Sequence, residues 1–360
     1  MKRLLLLLAI ASGCIRPPDI FTDASHRDPL PAVELFVLHG MAESLGSVNI
    51  DRWHAGIAPH WGETLLLTGS VPNRIIFDEE LGFIVNSLGN SITVFCRFTL
   101  AVLDIVSLGS GHNPWDIAVI VRGTTRYLVV SAFLSDSIAV LSRQEGSADV
   151  TLHRWLDFSL DSGVEDYRPR PQGLAVSGEY LYAACSGWNF QKNAYDPGFV
   201  AVFAIASDDP ADWAQSTYIS TALNPQSFLA VDDAVHVLCT GIHTDDDGAV
   251  YVLEGLDVAA QIPIGGSPYQ GIHTGTAVLL AGVGMITGYD PGTYEIIYPG
   301  AAPFFSADSS SYLPAIAYAD GYVYAADFSA NVVYWLDGSG ALLATRPTGH
   351  GPVDLAVAGW

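Results

Sequence analysis

The residues best equipped for chemistry in this chain stand in short polar clusters around recurring prolines. Arg74 follows Pro72, Trp115 and Asp116 follow Pro114, Gln172 follows Pro171, and Gln226 follows Pro225. Tyr269 and Gln270 follow Pro268, and Asp354 follows Pro352. Asn113, Arg170 and His350 lie just ahead of three of these prolines. A guanidinium, carboxylates, amides and aromatic rings brought to one place can hold a small ligand by hydrogen bonds and stacking. The glutamines at 172, 226 and 270 would form a polar ring. The same groups can instead satisfy backbone amides and one another around a water-filled channel.

Three further clusters offer other chemistry. Arg168 and Arg170 could clamp a carboxylate or phosphate in bidentate fashion, or pair locally with Asp161, Glu165 or Asp166. Asp245, Asp246 and Asp247 precede Gly248 in a turn. Clustered carboxylates can bind calcium, but the spacing does not match an EF-hand loop, and a solvated acidic turn is the simpler reading. Trp188, Phe190 and Tyr195 share a long turn that forms either a contact patch or packing over the sheet below. The 10 histidines are scattered, without an HExxH pair or a Cys/His ligand spacing. No nucleophile elbow, Walker loop or dinucleotide fingerprint is present. The motifs therefore point to no metal, no cofactor and no catalytic residue.

What positions these clusters is an internal repeat. Residues 83–95 (FIVNSLGNSITVF), 129–141 (VVSAFLSDSIAVL) and 324–336 (YAADFSANVVYWL) align without gaps. Each is an apolar strand, a polar turn and a second strand, which is a β-hairpin signature. Looser copies at 35–51, 181–204, 236–253 and 278–290 bring the hairpins to seven. A proline followed by an aliphatic or aromatic residue precedes most of them, at Pro72, Pro114, Pro171, Pro225, Pro268, Pro314 and Pro352. Proline at the first position of a strand costs no ladder N–H. Each unit thus predicts an inner strand after the proline, a hairpin, and an outer strand such as 102–108 or 341–346. Seven such units of roughly 40–45 residues predict an all-β, seven-bladed β-propeller of four-stranded antiparallel blades.

The chain ends fit this architecture. The first hairpin, 35–51, lacks an inner strand before it, and residues 351–358 form an inner strand with no hairpin after it. The last strand is expected to complete the first blade and leave no open edge. The inner strands then line a central channel, with the candidate ligand-binding residues at its mouth.

Composition limits the function. Half of the 360 residues are hydrophobic and only 15% are charged, which excludes a disordered chain. A net charge of -23 repels nucleic acid. Residues 1–13 begin Met1, Lys2, Arg3, continue as an apolar run too short to span a bilayer, and end in small residues before Cys14. This is the layout of a secretory signal peptide. Residues 11–14 (ASGC) resemble a bacterial lipobox, which implies lipidation of Cys14. Residue 15 is Ile and not Asp, which favours the outer membrane. Residues 14–32 then read as a proline-rich tether and 33–360 as the propeller. Cys96, Cys185 and Cys239 sit in apolar runs and read as buried small hydrophobes.

Residues 83–95 and 108–120 (LGSGHNPWDIAVI) resemble the YVTN-type β-propeller repeats of bacterial surface and periplasmic proteins, related to surface-layer and lactonase-like propellers. Residues 34–51 resemble the first blade of lipoproteins in that group. The resemblance covers 34–360 and implies a binding or scaffold role, without carrying over any catalytic motif. The expected protein is a monomeric, envelope-anchored propeller whose channel mouth takes an envelope protein or a small-molecule ligand. A lactonase- or lyase-like hydrolase at the same mouth is the alternative.

Overall fold

The computed structural model describes residues 33–55, 62–159, 167–243 and 245–359. Seven four-stranded antiparallel blades follow one another around a ring. Their inner strands are Pro352–Gly359 in blade 1, Pro72–Asp78 in blade 2, Pro114–Arg122 in blade 3 and Pro171–Ser177 in blade 4. Pro225–Val231, Gln270–His273 and Ala315–Ala319 serve blades 5, 6 and 7. Five of the seven strands open on the expected proline, and those of blades 6 and 7 start one or two residues after it. Each inner strand packs on the next around the ring. The C-terminal strand pairs antiparallel with Val33–His39, Val37 opposite Leu355, and so completes the first blade as expected.

Burial follows from this arrangement. A middle strand is covered on both faces by neighbouring blades, so alternation disappears. Every residue of Leu81–Asn86 and Ser91–Cys96 is buried. Phe83 and Val94 of blade 2 pack with Leu128 and Leu141 of blade 3. Leu35 and Val37 of blade 1 pack with Tyr324 and Val333 of blade 7. The outer strand Val102–Ser107 is exposed at every position but Val106.

Two local devices recur where a blade begins. The residue ahead of the inner-strand proline is left-handed in five blades: Val71 (φ 50), Asn113 (φ 50), Arg170 (φ 53), Asn224 (φ 53) and Gly351 (φ 67). That kink turns its carbonyl toward the hairpin turn of the same blade, where it accepts an N–H from Ser87, Phe133, Ser186, Thr240 or Gly40 at 2.7–3.3 Å. The inner strands of blades 2 to 5 then break register just after the proline. A bulge of this kind re-aims side chains, and here it acts on the clusters around Arg74, Asp116, Gln172 and Gln226.

Cys185 and Cys239 are free, buried thiols, as read from the sequence. Burial raises both, Cys239 to about 12. Cys96 is buried but takes part in a disulfide, which corrects its reading as a simple hydrophobe. Cys14, the signal peptide and the tether lie outside the described residues. Among the described residues no helix is long and apolar enough to cross a membrane.

Candidate functional site at the channel mouth

The hairpin turns and the starts of the inner strands share one face of the ring. At its centre lies a cavity of about 190 Å³. Arg74, Trp115, Asp116, Gln226, Tyr269, Gln270 and Asp354 all line it, so most of the sequence-derived candidates come together. Asn73, Ser227, Tyr312 and Val353 also line it, and none of these was anticipated.

The carboxylates and Gln270 work as struts between blades. Asp116 Oδ2 accepts the Leu174 N–H of blade 4 at 2.9 Å. Asp354 Oδ2 accepts the Ile75 N–H of blade 2 at 2.9 Å, and Gln270 Oε1 accepts the Ile316 N–H of blade 7 at 2.7 Å. Gln270 also donates its amide to Asp354 Oδ1 at 2.9 Å. Arg74 bridges the two carboxylates, its Nε 3.1 Å from Asp116 and its Nη1 3.4 Å from Asp354. These contacts join six of the seven blades into a belt around the channel. Ser227 Oγ ties in blade 5 by donating to the Tyr269 carbonyl at 2.5 Å. Gly173 is required in this belt, because a Cβ there would lie 2.7 Å from the Gln226 carbonyl oxygen and Ser227 Cα.

Electrostatics follow the same geometry. Asp354 is 2% exposed, and burial raises its carboxyl despite the nearby guanidinium and the donors it accepts. The Asp354 charge in turn holds Arg74 firmly protonated. With both carboxylates committed, the groups left over are donors and rings. Asn73 Nδ2 is buried without a partner among the described residues. Gln226 accepts from Thr240 through Oε1 at 2.9 Å, which leaves its amide nitrogen unspent. The Tyr269 and Tyr312 rings meet edge to face at 4.6 Å, with Trp115 on the other side of the mouth. Tyr269 O–H pairs with His243 Nδ1 at 3.0 Å, and burial pushes Tyr269 up to about 12.

Four candidates fall elsewhere. Asn113 serves as the left-handed lead-in to blade 3, and its role is carried by its backbone. Arg170 lies over the Phe133 and Phe190 rings at 5.6 and 5.1 Å and donates to the Phe133 and Leu134 carbonyls. Gln172 is 6% exposed and stands outside the cavity, where its carbonyl accepts from Ser131. The expected glutamine ring is therefore reduced to Gln226 and Gln270. His350 is exposed on the loop before blade 1.

The other clusters also resolve. Arg168 and Arg170 both face Asp136 of blade 3, at 3.6 and 3.7 Å, and so form a local pair with a carboxylate distant in sequence. Asp161, Glu165 and Asp166, named as their alternatives, lie outside the described residues. Asp247 accepts the Ile242 N–H and pins the turn itself, while Asp246 accepts the Gly266 N–H and ties the turn to the loop that leads into blade 6. In the blade 4 turn Trp188 packs on Tyr195 at 4.8 Å, while Phe190 remains 58% exposed.

No protein-family model matches the chain, and no curated protein matches it. Among solved structures it is similar to two proteins each described as a "putative 6-phosphogluconolactonase". The one from Bacteroides fragilis NCTC 9343 matches at 13% identity and TM-score 0.65, over 92% of this chain and 100% of that one. The one from Bacteroides uniformis ATCC 8492 matches at 12% identity and TM-score 0.67, over 91% of this chain and 100% of that one. A dihydro-heme d1 dehydrogenase, NirN, matches at 16% identity and TM-score 0.58, over 94% of this chain and 69% of that one. The likeness is to the fold alone. A propeller frame hosts many unrelated activities, so the site's own chemistry has to decide between them.

Proposed function

We propose that this chain is a binding propeller of the bacterial cell envelope that takes a small neutral polar ligand at its channel mouth. One observation carries the reading. At the mouth both carboxylates are consumed by backbone amides and Arg74, while the amide donors of Asn73 and Gln226 and three aromatic rings are left unspent. Donors and rings suit an acceptor-rich ligand with a flat or apolar face. A full negative charge would meet the two aspartates beside Arg74, which favours a neutral compound.

A hydrolase of the lactonase sort is the second reading. It is motivated by the His243–Tyr269 pair at the rim, an imidazole beside a phenol. Against it, neither mouth carboxylate is free to act as a base, and among the described residues no His, Cys, Asp and Glu groups cluster in a way that could hold a metal.

The test is a thermal-shift and calorimetric screen of neutral sugars, sugar lactones and sugar acids against the mature protein and two variants. Asn73→Ala and Tyr269→Ala should weaken the best binder without altering turnover, because none is expected. Turnover of a lactone that Tyr269→Phe or His243→Gln abolishes would replace this reading with the second.

A further inference from the structure

The face opposite the mouth carries a second cavity, of about 450 Å³, between blades 5 and 6. Asp232 and Asp233 reach it from the turn after the blade 5 inner strand, and Glu254 from the next turn of that blade. All three are exposed, and none has a hydrogen bond or ion pair among the described residues. Acidic residues alone would only make a solvated rim. The second observation lies beneath them. His236 lines the same cavity yet is 1% exposed. Its Nδ1 is 2.5 Å from the hydroxyl of Tyr289, itself fully buried, and the two rings stack at 5.9 Å. Among the described residues its Nε2 has no hydrogen-bond partner. Burial lowers His236 to about 4, so the ring is neutral at physiological pH and cannot repel a cation. Tyr294 forms a side wall, 6.4 Å from His236 between ring centres.

We propose that this cavity binds a small organic ammonium ion, such as an alkylamine or polyamine. Asp232, Asp233 and Glu254 surround the charge, His236 Nε2 accepts one N–H from it, and Tyr294 offers a ring face. In that tautomer His236 donates Nδ1–H to the Tyr289 oxygen, which leaves the Nε2 lone pair facing the ligand. Among the described residues no three carboxylate, histidine or cysteine groups converge closely enough for a metal ion. The same groups spread around a larger volume suit a larger cation, and the cavity is of the size that small-molecule sites have. An aromatic wall adds cation–π attraction.

The experiment is a calorimetric titration of the mature protein with spermidine at physiological salt. Saturable one-to-one binding is expected. Asp232→Asn combined with Glu254→Gln should weaken it by about tenfold or more, equivalent to about 1.4 kcal/mol. Asp149→Asn combined with Glu179→Gln removes the same charge elsewhere on this face and should leave binding within about twofold. The ring nitrogens of His236 should shift in nitrogen-15 spectra as spermidine is added. Absence of saturable binding, equal weakening by the two double variants, or an unmoved His236 signal each overturns the site. Equal weakening would mean that the amine only answers the net charge. None of these outcomes touches the mouth cavity, so the two sites stand or fall separately.

Discussion

The channel mouth and the far cavity use carboxylates in opposite ways. At the mouth, Asp116 and Asp354 each receive a backbone N–H from the next blade and share Arg74, and Asp136 faces two arginines. At the far cavity, Asp232, Asp233 and Glu254 have no side-chain partner among the described residues. The difference is one of topology. Inner strands crowd together where they start at the mouth, and their free N–H groups demand acceptors from the neighbouring blade. Around the far cavity the turns splay outward into solvent and the carboxylates stay unpaired, whereas in blades 2 and 3 on the same face Asp78, Glu79 and Glu145 pair with Arg126 and Arg143. Recognition at the mouth therefore falls to donors and rings, and at the far cavity to free acceptors.

The largest expected effect sets one aspartate against another. Asp354→Ala should cost about 3 kcal/mol or more, because it strands the Ile75 N–H, the Gln270 amide and one side of Arg74 in a buried belt. It also loosens the strand that closes the ring. Asp232→Ala should change stability by less than about 0.5 kcal/mol, as an exposed unpaired carboxylate. Urea denaturation of both variants reads the contrast directly. Equal losses would show that the mouth carboxylates are not struts, and would free them for chemistry.

Both faces hide a neutral histidine, and acid should reveal it. His39, near the mouth, is held by Ser44 and Thr348, and burial together with His350 lowers it to about 4. His236, beneath the far cavity, is lowered to about 4 by burial and by His273. The unfolded chain takes up these protons near pH 6.5, while the folded chain resists until about pH 4. The unfolded state thus binds more protons in this window, and stability falls as pH drops through it. Each group accounts for up to about 3 kcal/mol of that loss. His39→Gln and His236→Gln should each flatten the melting temperature against pH between 6.5 and 4. A variant as acid-sensitive as the parent would remove its histidine from the account.

A smaller effect tests how tightly the belt is drawn. Gly173→Ala places a Cβ 2.7 Å from the Gln226 carbonyl and Ser227 Cα, and both are backbone. The strands of blades 4 and 5 would have to part, at a cost of about 1–3 kcal/mol. On the far face Gly178→Ala and Gly255→Ala meet open space and pay only for their left-handed backbone, φ 57 and 62. A ligand that binds at the mouth should also lose affinity in Gly173→Ala and keep it in Gly255→Ala, as read by calorimetry.

How much of this was legible in the sequence depends on how local the signal is. The blades were legible because proline, turn residues and apolar runs repeat along the chain, and each blade is built from neighbours in sequence. The mouth was legible for Arg74, Asp116 and Asp354 because bulges just after the proline deliver those positions to the channel. Arg170 and Asn113 were misplaced by one or two residues of the same logic. They occupy the left-handed step before the proline, and Asn in that position was a readable turn signal. The Arg168 partner Asp136 and the His236–Tyr289 pair join different blades, and no local pattern encodes them. Tyr312 reaches the mouth from a loop two residues ahead of Pro314, outside the repeating register.

The lead-in position gives the smallest and most pointed comparison, within one face rather than between two. Blades 3 and 5 place Asn113 and Asn224 there, and blade 1 places Gly351. Blade 2 places Val71 at φ 50, where a β-branched side chain crowds its own backbone. All four carbonyls make the same hydrogen bond to a hairpin turn, so the geometry is shared and the residue cost is not. Val71→Asn should then raise stability by about 1 kcal/mol, the scale of the left-handed penalty for a side chain without local hydrogen bonding. Asn113→Val should lower it by a similar amount. If Val71→Asn destabilises instead, the half-buried Val71 side chain contributes packing that outweighs its strain, and blade 2 starts differently from its neighbours for that reason.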